Sequence, residues 1–185
     1  YIESCRRIKY MFPRAHAVAY VLMSYRIAWF KVYYPVPFYA AYFTTKVADF
    51  NSEVILKGSG AILSRIDEIL AKGKNATKKE EDEMTVLEVA YEMYSRGYEF
   101  EPINFGVSDG TKFYEHEGRV LLPFMAVSGI GETAAKALAD ECRIRPFETI
   151  EELKSRTRIS NSNIESLKAM GVLEGMPETD QLSMF

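Results

Sequence analysis

The segment from Leu121 to Asp140, LLPFMAVSGIGETAAKALAD, constrains the fold of this chain more than any other stretch. Gly129 and Gly131 flank Ile130, which predicts a tight turn: the glycines permit positive φ values, and the isoleucine side chain enters the apolar interior. An alanine- and leucine-rich segment, Glu132 to Glu141, follows directly and predicts a helix. The sequence therefore predicts a glycine-rich hairpin that leads into a helix.

This hairpin is a candidate binding site for an anion. The first N–H groups of a helix have no partner within the helix, and the helix dipole is positive at that end. The pattern resembles the helix-hairpin-helix motif of DNA polymerases, ligases and repair enzymes, which contacts the sugar-phosphate backbone without reading sequence. The candidate contacts to duplex DNA are Ser128, Gly129, Ile130, Gly131, Thr133 and Lys136. The alternative is an ordinary glycine turn before a core helix, and a structural role suits Lys136 equally well.

The composition is that of an ordinary soluble protein with one domain or two small ones. The chain has 185 residues, of which 48% are hydrophobic and 26% charged, and its net charge is -3. This charge argues against a free-standing protein that coats DNA, because such proteins are basic. Residues 1–46 contain seven basic residues and one acidic residue, whereas residues 67–101 contain ten acidic and five basic residues. We expect the basic end to face nucleic acid and the acidic segment to face solvent.

The cysteines and the longest apolar run exclude two classes of protein. Cys5 and Cys142 are too few and too isolated for a disulfide framework or a zinc site, which favours a reduced, cytosolic compartment. The run from Ala17 to Phe30 is too short and too charged to span a membrane. A buried helix from Arg14 to Tyr34 is the better interpretation. Because the chain begins at Tyr1 in an apparently helical stretch, we expect it to be part of a longer protein.

Hydrophobic periodicity and turn residues predict a mainly α-helical fold with a small β-hairpin. Further helices are predicted at Pro37–Thr45, Ser52–Lys72, Glu80–Arg96, Ser162–Met170 and, from a capping box at Thr149, up to Arg156. Strands are predicted at Thr111–Glu115 and Arg119–Leu122. The last two helices are interpreted as a degenerate second half of the hairpin motif, and the tail after them as too polar to pack alone. The acidic run Glu80–Glu83 suits a solvated helix N-terminus.

The segment Phe12 to Met23, FPRAHAVAYVLM, resembles the fingers signature of the C-family bacterial replicative DNA polymerases, and most closely that of the PolC type of polymerase III. Five other segments match in the order of that family and, with this signature, cover nearly the whole chain. They are Glu3 to Met11, the proline- and aromatic-rich segment after the long helix, the β-hairpin, Val127 to Gly131 and the closing peptide. The resemblance implies that residues 1–100 form the helical carboxyl-terminal part of the fingers. It further implies that residues 101–176 form a helix-hairpin-helix domain for duplex DNA and that residues 177–185 form a tail.

The resemblance also implies site residues. The implied contacts to the incoming nucleotide and the primer-template are Arg6, Arg7, Lys9, Arg14, His16 and Tyr20. Arginine suits this role because its guanidinium binds phosphate oxygens through two hydrogen bonds. Without the signature, a capping or core histidine and solvated arginines would be the better interpretation. The last five residues, Gln181, Leu182, Ser183, Met184 and Phe185, resemble the pentapeptide by which bacterial proteins bind the sliding clamp; the alternative is a terminus packed back on the body.

The family places its catalytic aspartates, which hold Mg²⁺, in a palm domain upstream of residue 1. The resemblance therefore implies no catalytic residue and no metal site in this chain, which should be inactive alone. Expected partners are primer-template DNA, the incoming dNTP, the sliding clamp and other replisome subunits, with no membrane, in the bacterial cytoplasm near the nucleoid. Two alternatives stay open: a non-catalytic helix-hairpin-helix module of a repair protein, and a repair glycosylase, for which Lys136 lacks a suitable acidic partner.

Overall fold

A computed structural model describes residues 3, 13–157 and 159–179 of the chain. Within these residues the fold is mainly α-helical with a small three-stranded sheet, which confirms the predicted fold class. The helices are α1 (Arg14–Tyr33), α2 (Pro35–Thr45), α3 (Ser52–Ile55), α4 (Ser59–Lys72), α5 (Lys78–Ser95), α6 (Glu132–Ile144), α7 (Ile150–Thr157) and α8 (Asn161–Ala169). The strands are β1 (Phe100–Glu101), β2 (Tyr114–His116) and β3 (Arg119–Leu121).

Helix α1 has the predicted length, but the prediction that it is buried is wrong. None of its residues, all of which are described, is buried, and Leu22 and Phe30 are each 53% exposed. Its apolar side chains lie all round the helix, a pattern typical of a helix that is enclosed on every side. The described part of the chain supplies no such enclosure, which is why the periodicity was misleading. No helix among the described residues combines the length and apolar character needed to cross a membrane.

The carboxyl-terminal end of α1 is fastened to α5. Nζ of Lys31 pairs with Oε2 of Glu92 at 2.9 Å. Nη2 of Arg96 donates to the carbonyl of Lys31 at 3.2 Å, which satisfies a backbone acceptor that the helix end would otherwise leave free. Charged contacts at one end therefore connect α1 to the body.

Helix α2 lies in the core: Tyr39 and Phe43 are buried, and Phe38 and Tyr42 are partly buried against the same cluster. The ring of Phe43 is fully buried and lies 5.5, 5.0 and 5.9 Å from the rings of Phe50, Phe100 and Phe113. The contacts with Phe50 and Phe100 are edge-to-face and the contact with Phe113 is tilted; such ring pairs stabilise the core beyond the apolar area that they bury. The same cluster of buried residues continues as far as α8. The core is thus continuous across residue 100, and the expected domain boundary there stays a prediction.

The predicted helix from Ser52 to Lys72 is two helices, α3 and α4. Gly58 separates them with a φ of +90°, a conformation that glycine adopts without the strain other residues would meet. The side chain of Asn51 begins α3 by accepting a hydrogen bond from the amide of Val54 at 3.2 Å. Apolar residues recur on both sides of the break, so periodicity alone predicted one helix.

Helix α5 begins at Lys78, two residues before its predicted start, because Thr77 and Glu80 form a capping box. The amide of Thr77 donates to Oε2 of Glu80 at 2.9 Å. Hydrogen bonds from Lys72 and from the amide and hydroxyl of Thr77 lower the pKa of Glu80 to about 2. The acidic start of this helix is therefore a local capping arrangement.

Glu83 was predicted to be solvated with the rest of the acidic run, but it is buried, with 8% of its surface exposed. Its carboxylate accepts hydrogen bonds from Nη2 and Nε of Arg65 on α4, at 2.9 and 3.2 Å, and from Nδ2 of Asn51 at 2.7 Å. Burial alone would raise the pKa of Glu83, but the bonds from Arg65 and Asn51 outweigh it, and the pKa is lowered. The partners are distant in sequence, so no local pattern indicated this pair.

The predicted β-hairpin is present: β2 pairs antiparallel with β3 across a turn at residues 117–118. Strand β1, which was not predicted, adds a third strand parallel to β3. Strand β2 begins at Tyr114 rather than at Thr111. The reason is that Oδ1 of Asp109 accepts hydrogen bonds from the amides of Thr111 and Lys112 at 2.8 and 3.0 Å, which makes the start of the predicted strand a turn.

Helix α7 begins directly after its predicted capping residue, Thr149, and α8 begins at Asn161, one residue before its predicted start. The hydroxyl of Thr149 accepts a hydrogen bond from the amide of Glu152 at 3.1 Å, and Ser160 caps α8. The segment after α8 enters the core through Leu173, and the tail that follows docks on α7. The amide of Ile150 donates to the carbonyl of Pro177 at 3.0 Å, so the tail occupies donors at the start of that helix.

Candidate nucleic-acid interface

The corner at residues 127–131 is a tight turn with glycine where the backbone requires it. The amide of Ile130 donates to the carbonyl of Val127 at 3.1 Å, which closes a four-residue turn. Gly129 is the third residue of this turn and has a φ of +84°, the conformation that favours glycine there. Ile130 is buried, as predicted. Strand β3 and the buried residues after it therefore lead to a corner that is anchored in the core by the side chains of Val127 and Ile130.

The backbone of this corner faces solvent. Ser128, Gly129, Gly131 and Thr133 are exposed. Within the described residues, hydrogen-bond partners are absent for the amides of Gly129, Gly131, Glu132, Thr133 and Ala134. The amide of Ala135 is the next one along, and it donates to the carbonyl of Gly131 at 2.9 Å. Free N–H donors thus gather at the amino-terminal end of α6, where the helix dipole favours an anion.

Gly131 is not required by the conformation of the corner. Its φ is -75° and its ψ is 165°, which any residue can adopt. A Cβ atom at this position would meet nothing within 4 Å among the described residues. The glycine leaves open space in front of the amides at the helix start, which suits the close approach of a ligand to the backbone.

A second helix-loop-helix unit, α7 and α8, packs beside the corner. Nδ2 of Asn163, on the first turn of α8, donates to the carbonyl of Ser128 at 3.2 Å. Ile164 and Leu167 of the same helix are buried in the common core. Sequence reasoning did not identify Asn163, and its one available signal was its spacing of three residues from the capping Ser160.

The side-chain charges around the corner are balanced rather than basic. Nζ of Lys136 donates to Oε1 of Glu132, one turn earlier on α6, at 2.5 Å. This hydrogen bond and the charge of Glu132 raise the pKa of Lys136, so the lysine stays protonated at neutral pH. Residues 97–182 contain 15 acidic and nine basic residues. Attraction for a phosphate must therefore come from the amides and the helix dipole.

A cleft of about 510 Å³ lies on one side of the corner. Its ionisable lining residues are Asp49, Glu53, Arg65, Lys79, Glu80 and Glu83. Arg65 is already paired with Glu83, so the cleft has an excess of negative charge and disfavours an anion. The candidate phosphate site is therefore the outer, solvent-facing side of the corner.

The described nucleotide candidates lie on the amino-terminal half of α1. Arg14, His16 and Tyr20 are all exposed, and the rings of His16 and Tyr20 are 4.5 Å apart in an edge-to-face arrangement. Because a helix rises about 1.5 Å per residue, Arg14 lies roughly 25 Å along the axis from Lys31 at the fastened end. The three side chains are thus carried away from the body.

Several predicted site residues lie outside the described residues. These are Arg6, Arg7, Lys9 and Gln181, Leu182, Ser183, Met184 and Phe185. Their assigned roles in contacting nucleotide, primer-template and clamp stay predictions.

Within the described residues, no group of three or more histidine, cysteine, aspartate or glutamate side chains is arranged to hold a metal ion. The expectation that Mg²⁺ binds to residues outside this chain stays a prediction.

Comparison with known proteins gives two further findings. A family model described as "Helix-hairpin-helix motif" matches residues 97–182. Over its full length the chain is 52% identical to the DNA polymerase III PolC-type of Caldanaerobacter subterraneus, 46% identical to that of Clostridium perfringens and 43% identical to that of Bacillus subtilis. The match covers 100% of this chain but only 13% of each of these three relatives.

Proposed function

The chain belongs to the PolC-type DNA polymerase III family, and we propose that it supports DNA synthesis by holding the product duplex at the 127–131 corner. The observation that carries this proposal is the exposed set of amides at the start of α6 that have no partner among the described residues. They lie beside Gly131, whose Cβ position meets none of the described atoms within 4 Å. Similarity over the whole chain favours a polymerase segment over the repair module and the glycosylase, which would account for the hairpin alone.

The contact acts on the DNA backbone. Free N–H groups and the positive end of a helix dipole attract a phosphate oxygen, and phosphates carry no sequence information. The surrounding residues 97–182 are acidic overall, so the corner positions a duplex that other parts of the polymerase help to hold. A weak contact at the corner, with most of the grip on DNA supplied by other parts of the polymerase, suits an enzyme that must move along its product.

A second proposed role is contact with the incoming nucleotide and the primer-template. Arg14 and His16 are exposed near the start of α1, with Tyr20 one turn further. Arginine binds triphosphate oxygens through two hydrogen bonds, and the aromatic pair offers a polar, planar surface to a base pair. Arg6, Arg7 and Lys9 would extend the same basic set towards phosphates.

We propose that the chemistry itself is carried out by residues outside this chain. Nucleotidyl transfer needs carboxylates that hold paired metal ions, and these would be supplied by the rest of a polymerase of which this chain spans 13%. The proposed catalytic metal is Mg²⁺, and this chain alone binds DNA without extending it.

The tail completes the proposal. Residues 181–185 would dock in an apolar groove of the sliding clamp, with the polymerase working in the bacterial cytoplasm among other replisome subunits. Because the carbonyls of Pro177 and Glu178 accept hydrogen bonds from α7 at 3.0 Å, the peptide would begin close to a fixed anchor on the body.

Titration of the purified 185-residue chain with labelled duplexes of unrelated sequence tests the duplex role. We expect equal affinities for all duplexes and an affinity that falls with salt, because the contact is to phosphate. A preference for one sequence, or no binding at low salt, would contradict the proposal.

A further inference from the structure

Asn163 uses every polar group of its side chain, and one of them reaches the proposed phosphate site. Nδ2 donates to the carbonyl of Ser128, 35 residues earlier, at 3.2 Å, and Oδ1 accepts from the hydroxyl of Ser160. The residue is 8% exposed. A buried amide with both ends bonded is fixed in orientation, because losing either bond would leave a buried polar group unsatisfied.

The bond to Ser128 acts on a peptide group that belongs to the corner. The carbonyl of Ser128 and the amide of Gly129 are the two ends of one peptide unit. In a trans peptide these groups are coplanar and point in opposite directions. Holding the carbonyl towards α8 therefore turns the amide of Gly129 away from α8, to the side where it has no partner among the described residues.

Packing enforces the same orientation. A Cβ atom on Gly129 would lie 3.0 Å from Nδ2 of Asn163, so the amide of Asn163 covers one face of the glycine. Glycine tolerates both orientations of the preceding peptide unit, because it adopts positive and negative φ values with similar ease. Without the bond to Ser128, the corner would keep its fold but could turn this peptide over.

We infer that Asn163 is a positioning residue for the duplex contact: from the second helix-loop-helix unit it aims the amide of Gly129 at the DNA phosphate. The inference rests on the proposed function of the corner. The corner and α6 then present the amides, and the unit formed by α7 and α8 fixes the direction of the Gly129 amide.

Duplex titration of the 185-residue chain carrying Asn163→Leu tests this inference. Leucine keeps the volume of the side chain but donates no hydrogen bond, and we expect about tenfold weaker binding, the loss of one well-placed hydrogen bond. Asn163→Asp is the second variant: it keeps the bond from Ser160 but sets a carboxylate against the Ser128 carbonyl, and should weaken binding at least as much. Circular dichroism and thermal unfolding establish that each variant is folded at the temperature of the titration.

Two readouts separate positioning from simple stabilisation. The amide resonance of Gly129 in ¹⁵N–¹H spectra should shift on addition of inorganic phosphate in the parent chain and not in Asn163→Leu. In a double-mutant cycle with Gly131→Asp, Asn163→Leu should cause little further loss, because both changes act on one contact. Unchanged affinity in both folded Asn163 variants, or fully additive losses, would overturn the inference. If the parent chain does not bind duplex DNA at all, the proposed function itself fails.

Discussion

Nζ of Lys136 and Oε1 of Glu132 form an ion pair at 2.5 Å on the exposed first turns of α6, directly behind the free amides of the corner. The carboxylate thus occupies the nearest lysine and adds a negative charge where a phosphate would bind. A phosphate that binds here must compete with Glu132 for Lys136, which keeps the contact weak.

Replacing Glu132 with glutamine should therefore strengthen duplex binding two- to fivefold at low salt, since it removes a like charge and frees Lys136. Lys136→Gln should weaken binding, because it leaves the negative charge of Glu132 unpaired beside the phosphate site. Fluorescence anisotropy at several salt concentrations measures both effects. Glu88→Gln is the matched control, because it removes one negative charge from an exposed position on α5. It should leave the affinity for duplex DNA unchanged. Weaker binding by Glu132→Gln would contradict this electrostatic account.

The pair between Arg65 and Glu83 should make the chain sensitive to acid. The pKa of Glu83 is lowered in the folded state, whereas an unfolded glutamate titrates near about 4.3. The pair therefore contributes its stability above about pH 4.3 and loses it as the pH falls through the folded pKa. Urea unfolding at a series of pH values should show this loss.

Glu83→Gln should lower the free energy of unfolding by about 3 kcal/mol at neutral pH. This value is at the lower end of the range for breaking a buried ion pair, because the side chain of Arg65 is partly exposed. It should also reduce the loss of stability between about pH 5 and pH 3. Glu88→Gln serves again as the exposed control. A variant as stable as the parent at neutral pH would show that the pair contributes nothing.

The exposed helix α1 should tolerate polar substitutions that a buried helix would not. Val21→Gln and Val32→Gln change side chains that are 66% and 63% exposed, and glutamine favours helix more than valine. We expect each to change the free energy of unfolding by less than about 0.5 kcal/mol. Phe43→Ala, in the core, should lower it by about 3–5 kcal/mol. A large loss from the α1 variants would mean that the helix is packed after all.

Two truncations test the tail. Deleting residues 181–185 should abolish binding to a purified sliding clamp and leave duplex binding and thermal unfolding unchanged. Deleting from Pro177 onwards should in addition lower the free energy of unfolding by about 1–2 kcal/mol, since the amides of Ile150 and Glu151 lose their acceptors. Surface plasmon resonance on immobilised clamp gives the first result. If the variant that lacks only residues 181–185 still binds the clamp, the assignment of these residues as the clamp-binding peptide is wrong.

What the sequence could predict follows from how local each feature is. The start of α7 depends on Thr149 and Glu152, three positions apart, and the turn at Gly129 depends on one glycine, so both were predicted from the sequence. The capping box of α5 is equally local, but the predicted start of that helix was two residues too late. The break at Gly58 was not predicted from the sequence, because apolar residues keep their helical spacing on both sides of it. The exposure of α1 was not predicted either, because hydrophobic periodicity indicates where the apolar residues lie on a helix but not which other elements cover them.

The local features of the candidate site could also be predicted from the sequence, whereas its long-range contacts could not. Its exposed amides follow from a glycine corner before a helix, which is a local pattern. The bond from Asn163 to Ser128 and the pair between Arg65 and Glu83 join residues 35 and 18 positions apart, so only the folded chain reveals them. The two glycines also look alike in sequence, yet Gly129 is constrained by its positive φ value, whereas Gly131 has an ordinary φ value and no described atom within 4 Å of its Cβ position.

That difference allows the duplex contact to be tested without disturbing the fold. An aspartate at position 131 meets open space and caps the start of α6, so Gly131→Asp should keep or slightly raise the stability. Its carboxylate would occupy the amides and repel a phosphate. Gly60→Asp is the matched control, because Gly60 is also exposed, lies near the start of α4 and has no described atom within 4 Å of its Cβ position.

The most direct measurement is the duplex affinity of the 185-residue chain carrying Gly131→Asp, compared with Gly60→Asp and with the parent chain at the same salt concentration. We expect at least tenfold weaker binding for Gly131→Asp, by about the same factor for every duplex sequence, and parental affinity for Gly60→Asp. Equal affinities for the two folded variants would contradict the account, because the amides at the start of α6 would then not contact DNA.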